Sequence, residues 1–104
     1  MKKLKEFILV GPLDNFKVIP VDADPNPLND DTFICKYEDH KEKWRVVDRA
    51  TGLMVVCGKT KKEAIQRFID RSDKYLSYKK TNRNYQKQIE RFNELRKEVE
   101  NGKR

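Results

Sequence analysis

The chain has 104 residues and 12.4 kDa, with 24 Lys/Arg against 17 Asp/Glu, 37% hydrophobic and 39% charged residues. That is one domain, or a small domain with a helical tail, far below most two-domain enzymes, and no apolar run approaches the ~20 residues of a membrane-spanning helix. The net charge of +7 excludes a DNA mimic, which needs a strongly acidic surface.

The opening Met1-Lys2-Lys3-Leu4-Lys5 is basic, but Phe7-Ile8-Leu9-Val10 is too short for a signal-peptide core and Pro12-Leu13-Asp14 ends it. A cytoplasmic location is therefore expected. Glu6 to Val10 reads as a short strand stopped by Gly11-Pro12. Phe16 to Val21 is β-rich, but Pro20 lacks the N–H for a ladder, so this run is an edge strand or ends at Pro20. The segment 22–31 holds two prolines, two asparagines and four aspartates and reads as a loop. Asp22, Asp24 and Asn26 resemble the start of a calcium loop. The glycine and the last carboxylate that such a loop needs are replaced by Pro27 and Phe33, so an exposed acidic turn is expected.

Three strands follow. Thr32 to Glu38 sets Phe33, Cys35 and Tyr37 against Lys36 and Glu38, and Lys43 to Arg49 sets Trp44 and Val46 against Lys43, Arg45 and Arg49. Ala50-Thr51-Gly52 makes a tight turn, with Gly52 free to take positive φ. Leu53 to Cys57 is apolar on both faces and reads as the most buried strand. The arrangement is an antiparallel meander.

Helix one opens at Thr60-Lys61-Lys62-Glu63, a capping box in which the Thr60 hydroxyl accepts from the Glu63 N–H and the Glu63 carboxylate returns to the Thr60 N–H. Ala64, Ile65, Phe68, Ile69, Tyr75 and Leu76 then mark one face. That face fails after Leu76, which predicts a break near Thr81-Asn82. A second helix spans roughly 83–101, with Tyr85, Ile89, Phe92, Leu95 and Val99 in a narrow stripe that must dock on the domain or pair with another helix. Bases lead and acids trail along this helix, against the helix dipole.

Catalytic signals are weak. Cys35 and Cys57 lack zinc spacing and read as small core residues, joined only if their strands lie side by side. His40 sits in a polar turn with no nucleophile suggested beside it and reads as a surface histidine. No enzyme activity, cofactor or metal is expected.

Charge is segregated. Residues 1–58 hold 9 Lys/Arg and 10 Asp/Glu, whereas 59–104 hold 15 and 7. Such a field is a cue for polyanion binding. Lys43, Arg45 and Arg49 would share a strand face and contact a major groove. Lys59, Lys61, Lys62, Lys80, Arg83 and Lys87 would contact phosphates. Trp44 fits a core aromatic linking sheet to helix.

The stretch from Lys43-Trp44-Arg45-Val46-Val47-Asp48-Arg49, through Gly52, to Gly58-Lys59-Thr60-Lys61-Lys62-Glu63-Ala64 resembles the amino-terminal arm-site DNA-binding domain of phage and transposon tyrosine integrases. The resemblance covers residues 32–72 and implies a three-stranded sheet on one helix, with the sheet reading the major groove. It departs at the third strand, hydrophobic here where the family's is polar and basic, and at Lys59, where an aromatic commonly precedes the helix.

The reading is an α+β chain: an antiparallel sheet of three to five strands packed on one helix over residues 1–78, and a basic amphipathic helix over 79–104 as appendage or dimerisation element. The expected function is non-catalytic DNA or RNA binding by a small phage or mobile-element accessory protein. The rival is a protein–protein module, such as a phage inhibitor of a host defence nuclease, that caps a larger protein or nucleoprotein. There the loop 22–31, the hydrophobic third strand and Tyr75, Tyr78 and Tyr85 matter more than the lysines. A third reading is a homodimer through 83–101. No membrane partner is expected.

Overall fold

A computed structural model of the chain describes residues 4–11, 16–38 and 41–101. In chain order these form strands β1 (Leu4–Val10), β2 (Lys17–Pro25), β3 (Thr32–Lys36), β4 (Trp44–Asp48) and β5 (Met54–Gly58), then helices α1 (Lys61–Thr81) and α2 (Tyr85–Glu100). The fold is α+β. The strands make one antiparallel sheet in the order β1-β2-β3-β4-β5, so every strand pairs with its neighbour in sequence. No helix among the described residues is long and apolar enough to cross a membrane. His40 lies outside the described residues.

The sheet is rolled. The Leu9 N–H, on the outer strand β1, donates to the Gly52 carbonyl in the β4–β5 turn at 2.9 Å. Arg49 Nε donates to Glu6 at 3.1 Å, again joining β1 to the far end of the sheet. Rolling brings Ile8, Ala23, Phe33, Cys35 and Val47, from four different strands, into one core on the inner face. The outer face of β3–β5 carries the second core, Ile34, Val46 and Val56, beneath Ala64, Phe68 and Tyr75 of α1. Trp44 packs against this second core, as expected.

Both faces of β3 and β4 are thus covered, which is why Phe33, Ile34 and Cys35, and then Arg45, Val46, Val47 and Asp48, are all buried. The alternation in the sequence, which placed Arg45 on a solvent face, is overridden by the second layer. Conversely, β5 is not the most buried strand. It ends the sheet, and Met54 is 41% exposed. Its apolar run reflects one face under α1 and a free edge, a combination that hydrophobicity alone does not distinguish from full burial.

Pro20 lies inside β2, opposite Phe7 of β1. Pairing of β2 with β3 covers only Ala23 to Pro25. The missing N–H of Pro20 therefore falls where β2 has no neighbour on its other side, an edge position within a longer strand. The loop is shorter than expected and starts at Asn26. Asn26 is buried, its Nδ2 donating to Thr32 at 2.8 Å and its Oδ1 accepting from the Leu28 N–H at 3.0 Å. Asp24 is buried too and takes Lys61 at 2.7 Å, whereas Asp22, Asp30 and Asp31 are exposed, so the expected exposed acidic turn holds only in part.

The start of α1 follows the sequence with one difference. Thr60 accepts from the Glu63 N–H at 3.1 Å, but the Glu63 carboxylate reaches the N–H of Lys59, at 2.9 Å, rather than that of Thr60. Such a cap contributes about 1 kcal/mol. Gly58 permits the close turn, because a Cβ there would lie 2.7 Å from the Ala64 nitrogen. Ala64, Phe68 and Tyr75 face the core, whereas Ile69 and Leu76 are 49% and 44% exposed, correcting their place on the buried face. The helix ends at Thr81, and the Asn82 N–H closes on the Tyr78 carbonyl at 2.9 Å.

The second helix docks on the chain's own sheet. Phe92 is 1% exposed, and Tyr85, Ile89, Leu95 and Val99 are half-buried. Arg91 stacks on Phe16 at 5.1 Å from the ring centroid, and Arg96 on Phe7 at 4.9 Å. Part of the helix's basic charge therefore caps aromatic rings, with aliphatic stems laid over apolar surface. The apolar stripe available for dimerisation in the sequence is occupied by this docking.

Candidate interaction surface

The nine basic positions singled out from the sequence do not form one patch. Arg45 is 5% exposed on the inner face, its guanidinium 4.8 Å from the Tyr37 ring centroid and its Nε without a hydrogen-bond partner. Burial lowers its pKa from the ordinary arginine range. Arg49 is held by Glu6 and by the Asp30 carbonyl. Lys43 pairs with Glu38 at 3.2 Å and Lys61 with Asp24 at 2.7 Å. Hydrogen bonds from Lys43 and Lys36 hold the Glu38 carboxyl below its usual range.

The expectation that Lys43, Arg45 and Arg49 enter a major groove together is therefore corrected. The inner face that would read the bases is packed beneath β1 and β2, and two of the three side chains are tied within the chain. Lys59, Lys62, Lys80, Arg83 and Lys87 are exposed on the helical side. Hydrogen bonds from Cys57 and Arg67, and after them the nearby charge of Lys59, hold the Glu42 carboxyl below its usual range. Lys62, Lys80, Arg83 and Lys87 make no ion pair among the described residues.

Cys35 and Cys57 do not lie side by side. Both are register partners of Arg45, one on each side, so β4 runs between them and both are free thiols. Burial pushes the Cys35 thiol up to about 11. Cys57 donates to Glu42 at 3.2 Å.

An open, largely apolar trough lies between β5 and α1. Two hollows of about 260 Å³ each share Met54, Val55 and Arg71 and so run together along the strand. Leu53, Tyr75 and Tyr78 line one end, and Cys57 and Arg67 the other. Helical spacing sets Arg67, Arg71, Lys74 and Tyr78 in a row above the strand. Arg67 is committed to Glu42 at 3.0 Å and to the Cys57 carbonyl at 2.7 Å. Arg71 and Lys74 are exposed and have no partner among the described residues.

One end of the trough rests on a buried carboxylate. Asp48 accepts three hydroxyl hydrogen bonds, from Tyr75 at 2.6 Å, Tyr85 at 2.7 Å and Thr51 at 2.8 Å. It thereby joins β4, the β4–β5 turn, α1 and α2. Burial, then the bond to Asp48, pushes both phenols well above the ordinary tyrosine range. A raised native value leaves this stability intact below about pH 10, where unfolded tyrosine is still protonated, and removes it as pH climbs toward the native values. In an alkaline titration followed by phenolate absorbance, two of the four tyrosines should ionise only as the far-ultraviolet circular dichroism collapses. Ionisation of all four in the folded chain would contradict the network.

Comparison with protein families, curated proteins and solved structures finds no match. The trough and the Asp48 network were not assigned from the sequence. The run Leu53 to Cys57 beside the cations of α1 was their one signal.

Proposed function

We propose that this chain is a non-catalytic protein-interaction module that binds its partner through the trough between β5 and α1. The observation carrying this reading is an apolar trough at an open sheet end, with Met54 41% exposed and with Arg71 and Lys74 uncommitted above it. Exposed apolar clusters rimmed by charge mark contact surfaces. The occluded inner sheet face, the burial of Arg45 and the internal pairing of Arg49 and Lys43 weigh against groove reading by the sheet.

The test is a pull-down from cell extract with tagged protein, with and without nuclease. Capture should survive nuclease and be lost in Met54→Glu, which sits at an exposed position and leaves the fold intact. A second reading, polyanion binding at the α1–α2 elbow, is supported by the exposed, uncommitted Lys80, Arg83 and Lys87. Under it, capture disappears with nuclease. Affinity for random duplex DNA then falls by about 0.9 log units per log unit of salt for each phosphate contacted.

A further inference from the structure

We infer that the trough takes an extended, acidic and apolar segment of a partner protein, which adds to β5 as a sixth strand. This rests on the reading of the trough as the interaction surface and names what fills it. Strand β5 ends the sheet, and the Cys57 carbonyl turns away from β4 to meet the Arg67 guanidinium. The Cys57 carbonyl on this edge therefore faces the trough, where Arg67 already occupies it, and an added strand would share or displace that contact. On the opposite side of the sheet, β1 already gives its Leu9 N–H to Gly52. Met54-Val55-Val56-Cys57 carries no charge and no proline, the two devices that most often blunt an edge strand. Its one irregularity is the bulge opposite Val46 and Val47.

Side chains of an added strand alternate between two faces. One set would lie beside Met54, which pairs with the inner-facing Val47 and so stands on the side away from α1, and needs to be apolar. The other would pass beneath Arg71 and Lys74, whose charges are unanswered within the described residues, and needs to be acidic. A second copy of this chain does not fit. Pairing β5 with its own two-fold mate would set the same cationic row of each copy against the other. A nucleic acid offers no strand backbone to the edge and no apolar side chain to the floor.

The probe is a short labelled peptide alternating valine and glutamate, titrated into the full chain with amide shifts followed by NMR. Shifts should concentrate at Val55, Val56 and Cys57. Replacing glutamate by lysine in the peptide should weaken binding by about tenfold or more, and the pair Arg71→Glu and Lys74→Glu should do the same. Both are exposed, and the rest of the spectrum reports that the fold is kept. Methylating alternate backbone nitrogens of the peptide should abolish binding in one phase and spare it in the other. Equal tolerance of both phases overturns strand addition while leaving the trough as an interaction surface. The inference also fails if the β5 amides do not shift as the peptide is added, or if concentration-dependent dimerisation moves the same amides.

Discussion

Replacing Gly52 by alanine should destabilise the protein by about 2–5 kcal/mol, read as a lower urea midpoint with an unchanged slope. Two effects act together. Gly52 sits at φ +70°, in the left-handed region, where a side chain costs about 1–2 kcal/mol. A Cβ there would also lie 2.4 Å from the Phe92 ring. The ring belongs to α2 and is 1% exposed, so it cannot swing into solvent, and overpacking of this kind costs about 1–3 kcal/mol. The carbonyl of the same residue closes the roll by accepting from Leu9 at 2.9 Å, so a displaced turn disturbs β1 as well. The two contributions separate in a double-mutant cycle. In a Phe92→Ala background the ring is gone, and Gly52→Ala should cost only its backbone share. Strict additivity would show that the close approach of α2 to the turn contributes nothing.

The other large effect is expected at Asp48. Asp48→Ala removes the acceptor shared by Tyr75, Tyr85 and Thr51. Each buried donor left without an acceptor costs about 1–3 kcal/mol. Tyr85 is only half-buried and recovers part of its share from water. A loss of about 3–5 kcal/mol follows, a large part of the stability of a domain this small. Asp48→Asn keeps one carbonyl oxygen and should lose clearly less. Tyr85→Phe breaks only the link to α2. It should raise amide exchange along 85–100 while leaving α1 and the sheet protected. If α2 and α1 open together in that variant, Asp48 is not the joint between them.

The sites of these two predictions differ in how far the sequence exposed them. Gly52 stood out, because Ala50-Thr51-Gly52 between two apolar runs asks for a turn with a positive φ. Its closeness to Phe92 did not, since the partner lies forty residues further on in a helix whose docking depends on the sheet beneath it. Asp48 looked like one more polar residue at a strand end. Nothing local marks the arrival of Tyr75 and Tyr85 from two helices.

The interaction surface shows the same limit. The hydrophobicity of Leu53 to Cys57 and the cations of α1 are legible, but their meaning is not: the sequence reads an edge strand as the most buried one, and Arg45 as a solvent-facing contact. Period-two alternation says which residues share a face; it does not say whether that face meets water or a second layer.

Features built from short-range physics were therefore present in the residue order. These are the antiparallel meander with its helices, the Thr60 cap on α1, the break at Asn82, and the need for α2's stripe to dock. Each is marked by a pattern within a few residues (alternation, helical spacing or capping chemistry), even where the contact it implies is longer-range. The roll of the sheet, the burial of Arg45, the neutralisation of Arg49 by Glu6, the Asp48 junction and the open edge of β5 arise from contacts between distant segments. Packing two layers around the same central strands decides which charges are consumed inside the molecule and which are left to meet a partner.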